Sequence, residues 1–137
     1  MSVEENKAIF RRMTEDLWNN KNLDVADELF AADATSPTAP SLPPGSEGVK
    51  QIARMFFAAF PDLQISIDYL VAEGDKVFGR LTEQGTHRGT FLGISPTGKQ
   101  VKFTEMGILR IADGKIAESW YDVDMLGLMG QITPPPG

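Results

Sequence analysis

Apolar residues recur at helical spacing as far as Phe60 and at strand spacing after Pro61, so the chain changes character once. Ser2-x-x-Glu5 forms a capping box ahead of Ile9, Phe10, Met13 and Leu17, which predicts a helix from about Val3 to Asn20. Asn22 caps a second, shorter helix with Val25, Ala26, Leu29 and Phe30 on its apolar side. Ala34 to Gly45 holds four prolines and reads as a strand fragment followed by a loop. Ser46 caps a third helix with the stripe Val49, Ile52, Ala53, Phe56 and Phe60, stopped by Pro61. Beyond it Leu63, Ile65, Ile67, Tyr69 and Val71 alternate with Gln64, Ser66 and Asp68, the pattern of a half-buried strand. Turns at Glu73-Gly74-Asp75-Lys76, at 93–98 and at Asp113-Gly114 separate three further strands, at about 77–89, 100–111 and 115–124, and a short helix follows. Three helices and then an antiparallel meander define an α+β fold, with the helices against one face of a sheet that curls into a half-barrel. The mouth of such a half-barrel is where a small-molecule pocket is expected. Residues 1–132 form one domain and 133–137 a loose, Pro-rich tail.

Composition narrows the functional classes. The 137 residues include 13 basic and 19 acidic ones, a net charge of -6, with no basic run. Nucleic acid and anionic membranes are therefore not expected partners. No stretch is long and apolar enough to span a bilayer, and the charged N-terminus lacks a signal core, so the expected location is the cytoplasm. There is no cysteine and a single histidine, His87. Thiol nucleophiles, disulfides and the common Cys/His zinc sites are excluded; a carboxylate-only magnesium or calcium site stays open, but no Asp-rich calcium loop is present and no cofactor is expected. Gly93-x-Ser95-x-Thr97 lacks the last glycine of a nucleophile elbow, and Gly98-Lys99-Gln100 lacks the hydroxyl of a phosphate-binding loop.

Candidate chemistry concentrates on carboxylates near the end of the chain. In Ile116 to Asp124, Glu118, Trp120, Asp122 and Asp124 share one face by alternation. A carboxylate held against an apolar wall has its pKa raised toward the range useful for proton transfer. The simpler reading of Asp124 is a solvated residue capping the next helix. With Asp113-Gly114 as a two-residue loop, Gly107 falls opposite Trp120, Glu105 opposite Asp122 and Phe103 opposite Asp124. That register makes Asp124, Asp122, Glu105, Trp120 and Phe103 the pocket wall. It leaves Val123, Tyr121, Met106, Ile108 and Ala117 as an apolar outer face for a homodimer; one bulge would reverse part of it. Phe56, Phe57 and Phe60 pack the third helix, and one of them is expected to line the pocket. Glu105 and Asp122 have an alternative as solvated partners of Arg110 or Lys102, Trp120 as a core residue, and His87 as a loop hydrogen-bonder.

The stretches Gly85 to Lys99 (with Thr86-His87-x-Gly89-x-Phe91-x-Gly93-x-x-Pro96-Thr97-Gly98), Arg110 to Trp120 (with Asp113-Gly114-Lys115-Ile116-x-Glu118-x-Trp120) and Asp124 to Gln131 resemble the SnoaL-like polyketide cyclases, also called ester cyclases. The resemblance covers nearly the whole chain. It implies an open cone of curved sheet closed by helices, commonly a dimer through the sheet, and a cofactor-free intramolecular aldol cyclisation. It also implies an acid/base Asp at the end of the last strand, a position that Asp124 matches. The family's cyclases set a His beside it on the preceding strand. Here that strand reads Phe103-Thr104-Glu105-Met106-Gly107-Ile108, a departure from the cyclases of large aromatic polyketides. His87 belongs to a different motif.

The expected function is a cofactor-independent acid/base enzyme for a small apolar carbonyl compound, with Asp124, Glu105 and His87 as catalytic candidates. Trp120, Phe103, Asp122, Phe56 and Phe60 are the candidate substrate contacts. Carboxylates crowded in a dry pocket cannot all ionise, so one keeps a proton and the group supplies both acid and base. The alternative is a non-catalytic small-molecule-binding or dimeric interaction domain on the same fold. An epoxide hydrolase of the limonene type would need an Asp-Arg-Asp relay, and no Asp lies two residues from Arg80 or Arg110 on its strand. A ketosteroid-isomerase chemistry would need a deep Tyr opposite an acid, and the alternation puts Tyr121 on the outer face.

Overall fold

A computed structural model describes residues 2–133; the expected loose tail, apart from Thr133, lies outside the described residues. Helix α1 spans Val3–Arg12 and continues as a π-helical segment over Met13–Asn19. The capping box forms as expected: Glu5 N–H donates to Ser2 Oγ at 3.1 Å, and Ser2 N–H donates to Glu5 Oε1 at 3.1 Å. The remaining elements are α2 (Val25–Leu29), β1 (Phe30–Thr35), α3 (Ser46–Ala59), β2 (Gln64–Glu73), β3 (Lys76–Thr86), β4 (Gln100–Ala112), β5 (Lys115–Val123) and α4 (Met125–Ile132). No helix among the described residues is long and apolar enough to cross a membrane.

The sheet is mixed rather than purely antiparallel. Its order is β1-β5-β4-β3-β2, and β1 runs parallel to β5. The four later strands form the expected meander, while β1 covers the edge of β5 that the meander would leave unpaired. The sheet stays open, with β1 and β2 as its edges.

Two bulges reset which residues face inward. In β2 the register shifts between Ile67 and Tyr69, at Asp68. Beyond it Leu70 and Ala72 pack on the core, while Tyr69 and Val71 turn to the outer face, contrary to simple alternation. Asp68 accepts from Arg80 Nη1 at 2.8 Å and from Thr82 Oγ1 at 2.7 Å, which satisfies the bulged residue. In β5 the extra residue is Ala117: Ile111 pairs with Ile116, but Arg110 pairs with Glu118. The expected register is therefore off by one beyond Ala117. Glu105 lies opposite Val123, Gly107 opposite Tyr121, and Ile108 opposite Trp120. Without the bulge Glu118, Trp120 and Asp122 would face inward beside Glu105. Placing three carboxylates in one apolar layer costs far more than interrupting one ladder. The bulge sends Ser119, Tyr121 and Val123 inward instead, and Glu118 accepts from Arg110 Nε at 2.6 Å.

Two buried clusters hold the helices on the sheet. One joins Phe10, Met13 and Leu17 with Leu29, Val77, Leu109 and Ile116. The other joins Phe56 and Phe60 with Phe91, Phe103, Leu128 and Ile132. Gly79 is required by the first: a Cβ there would lie 2.3 Å from Phe10 Cζ. The Asn19 side chain ties the π-helical end to β2, donating to Ile65 O at 2.9 Å and accepting from Ile65 N–H at 2.7 Å.

Candidate active site

Between the inner sheet face and the helices lies a cavity of about 380 Å³. Its sheet side carries Glu83 from β3, Glu105 from β4, and Ser119, Tyr121 and Val123 from β5. Its helical side carries Trp18, Val49, Ile52 and Phe56, and the segment between β1 and α3 adds Thr38, Leu42 and Pro43. That segment is tied to β5: Ser36 Oγ donates to Ser119 O at 2.8 Å, and Tyr121 N–H donates to Thr38 Oγ1 at 3.2 Å. Trp18 stands edge-on to Phe56 with ring centroids 6.2 Å apart, so an indole borders the cavity from the π-helical segment.

Glu83 and Glu105 are diagonal neighbours on the inner face, because Leu81 pairs with Glu105 and Glu83 with Phe103. Glu83 is 2% exposed, and its Oε2 has no hydrogen-bond partner among the described residues. Burial holds the Glu83 carboxyl well above the usual carboxylate range, and the adjoining Glu105 raises it further. Burial also raises Glu105, while its hydrogen bond with Glu83 offsets part of the rise. Of the two, Glu83 is raised the more strongly, and Glu105 is half-buried and the more accessible. Two adjacent carboxyls in an apolar setting share one proton because both cannot ionise.

Tyr121 lies two residues beyond Ser119 on the same face. Burial pushes its phenol above its ordinary range; the Ser119 side chain opposes the shift and the Glu105 charge adds to it. The phenol stays protonated and donates weakly to Met13 Sδ at 3.9 Å. Gly107 makes room for this ring, since a Cβ there would lie 3.2 Å from Tyr121 Cδ1. The arrangement sets two neighbouring carboxyls raised by burial and one phenol around a largely apolar space, with the exposed Asp122 at its border.

The expected site residues divide. Glu105 and Phe56 line the cavity. Phe103 and Phe60 are buried beside it in the second cluster and are not among its lining residues. Asp122 borders it but is exposed, paired across the strands with Met106. Trp120 turns to the outer face beside Ile108, a consequence of the Ala117 bulge. Asp124 is exposed and caps α4, accepting from Gly127 N–H at 2.9 Å, so the expectation of a carboxylate buried near Phe103 is corrected. Strand β5 ends one residue earlier, and the unpaired N–H groups of α4 claim the side chain. His87 is fully buried against Phe60, ring centroids 5.7 Å apart, and away from the cavity. Its Nδ1 accepts from Thr97 N–H at 3.2 Å and lies 3.0 Å from Thr97 Oγ1, which fastens the 88–99 loop. Tyr121 and Val123, expected on the outer face, are inside.

Glu83 was missed. Its signal was present: in Val77-x-Gly79-x-Leu81-x-Glu83-x-Gly85 a single carboxylate interrupts the inward-facing positions of β3. Among the described residues no group of three or more His, Asp and Glu side chains converges as a metal site.

A family model described as SnoaL-like polyketide cyclase matches residues 8–132. Among solved structures, the chain is similar to TsrD from Streptomyces laurentii, at 27% identity and a TM-score of 0.89 over 97% of this chain and 98% of that one. It is similar to AclR, a candidate hydroxylase from Streptomyces galilaeus, at 31% identity and 0.87 over 99% and 89%. It is also similar to IdmH, a candidate polyketide cyclase from Streptomyces antibioticus, at 28% identity and 0.81 over 94% and 99%. No curated protein sequence matches the chain.

Proposed function

From a chain that belongs to the SnoaL-like polyketide cyclase family, we propose a cofactor-independent enzyme that moves a proton on a small, largely apolar carbonyl compound. The reaction is an intramolecular aldol-type cyclisation or a related isomerisation or hydration. The observation that carries this reading is the Glu83–Glu105 pair, two neighbouring carboxyls raised by burial in a cavity otherwise lined mainly by apolar side chains. Glu105 is the base that takes a proton from carbon next to the carbonyl. Tyr121, protonated and beside Glu105, donates to the developing enolate oxygen, and Glu83 acts as a neutral hydrogen-bond donor that orients Glu105. The cavity holds the reacting carbons together, and the substrate's conjugation spreads the enolate charge. We take the sheet and helices to enclose this cavity as the half-barrel cone that the family resemblance implies.

The test is exchange of the α-protons of 2-tetralone with deuterated water, followed by proton NMR. The wild type should accelerate exchange and Glu105→Gln should not. Binding of 2-tetralone without any acceleration would favour the non-catalytic binding domain.

The outer face exposes Tyr69, Val71, Met106 and Ile108. We propose that a second copy covers it in a homodimer, since adjoining exposed apolar residues of this kind usually mark an interface.

A further inference from the structure

The charged side chains lining the cavity are Glu83, Glu105 and Asp122, all acidic, and no Lys, Arg or His joins them among the described residues. An acid pair alone would not define a ligand site. Here Glu83 is 2% exposed, lines the cavity, and has an oxygen, Oε2, with no hydrogen-bond partner among the described residues. A buried acceptor left unpaired is costly, and a ligand donor removes the cost. The charged wall is acidic throughout, and among the described residues no cation lines the cavity to balance it.

We propose that the cavity selects its ligand by charge, seating a single protonated amine on Glu83 and Glu105, with an apolar ring system against Trp18, Ile52 and Phe56, and rejecting carboxylates. The inference rests on the cavity and carboxyl pair of the proposed function, but not on any proton transfer. An ammonium group is donor-only, so it can satisfy Glu83 Oε2 and neutralise the pair together. A carboxylate would bring a second negative charge into the same desolvated space, with no donor cation to receive it. A neutral carbonyl or hydroxyl compound is admitted with intermediate affinity.

Three probes of one shape separate these cases at neutral pH: 2-naphthylmethylamine, 2-naphthylmethanol and 2-naphthoate, each titrated calorimetrically into the protein. The amine should bind at least about tenfold more tightly than the alcohol, the gain expected of a hydrogen bond to a charged group. The naphthoate should not bind measurably. Glu83→Gln should keep the preference, because the amide still donates to an ionised Glu105 and the pair keeps its charge. The double variant Glu83→Gln/Glu105→Gln should lose it while retaining the alcohol. Equal binding of amine and alcohol by the wild type, or a preference that survives in the double variant, would overturn charge selection and leave the enzyme reading intact. Failure of all three probes to bind would overturn it too, and 2-tetralone exchange would then decide the enzyme reading separately.

Discussion

Replacing Glu105 by glutamine changes one oxygen to an amide nitrogen and removes the proposed base, a half-buried carboxyl that opens onto the cavity beside Glu83. A positioned general base contributes roughly 10²–10⁴ in rate, which at about 1.36 kcal/mol per decade is about 2.7–5.4 kcal/mol of barrier. Glu105→Gln should therefore slow 2-tetralone exchange by that factor. Glu83→Gln is a sharper test, because in the proposed mechanism Glu83 acts as a neutral donor toward Glu105. Glutamine reproduces that donor, so exchange should fall by no more than about tenfold, the scale of one altered hydrogen bond. The assay is proton NMR at matched protein concentration, with thermal melting confirming that each variant folds. Removing a buried charge should leave melting of Glu105→Gln unchanged or raised. Full exchange by Glu105→Gln would refute the assignment. Equal damage from both variants would show instead that the substrate's proton passes through Glu83.

Four further outcomes follow from the same geometry. The Glu83 carboxyl is raised above its ordinary value of 4.5, so the folded chain binds a proton that the unfolded chain has already released. Stability should fall as pH rises from that value through the folded-state pKa, and urea titrations of Glu83→Gln across pH should lack that part of the slope. Asp124→Ala removes the α4 cap and should cost about 1 kcal/mol in urea unfolding, with 2-tetralone exchange unaffected. Gly79→Ala drives a methyl into the Phe10 ring and should cost about 1–3 kcal/mol by the same measurement. Ile108→Lys places a charge in the outer apolar face, and light scattering should report a monomer where the wild type is a dimer; a monomeric wild type would remove the proposed interface.

What the sequence determined was the material decided locally. The capping box at Ser2 and Glu5, the stripe from Val49 to Phe60 and its stop at Pro61 lie within a few residues of what they control. Asp113-Gly114 likewise dictated its own turn, with φ of 52° and 75° at the two positions, the left-handed pair that a two-residue hairpin loop requires. Glu105 was placed on the pocket wall by a register that set it opposite Asp122; that register was off by one, but β4 keeps strict alternation from Val101 to Ile111, so Glu105 still faces inward. Tertiary structure decided everything that depended on parity across strands. The bulge at Ala117 is not marked by a glycine or proline; it arises because Glu118 and Asp122 are cheaper outside, and that comparison exists only once β4 and the helices define an inside. One extra residue exchanged Trp120 for Tyr121 at the cavity and left Asp124 to the α4 cap. Parallel addition of β1 to β5 and the meeting of Glu83 with Glu105 join residues far apart in the chain, so only the packed sheet could bring them together.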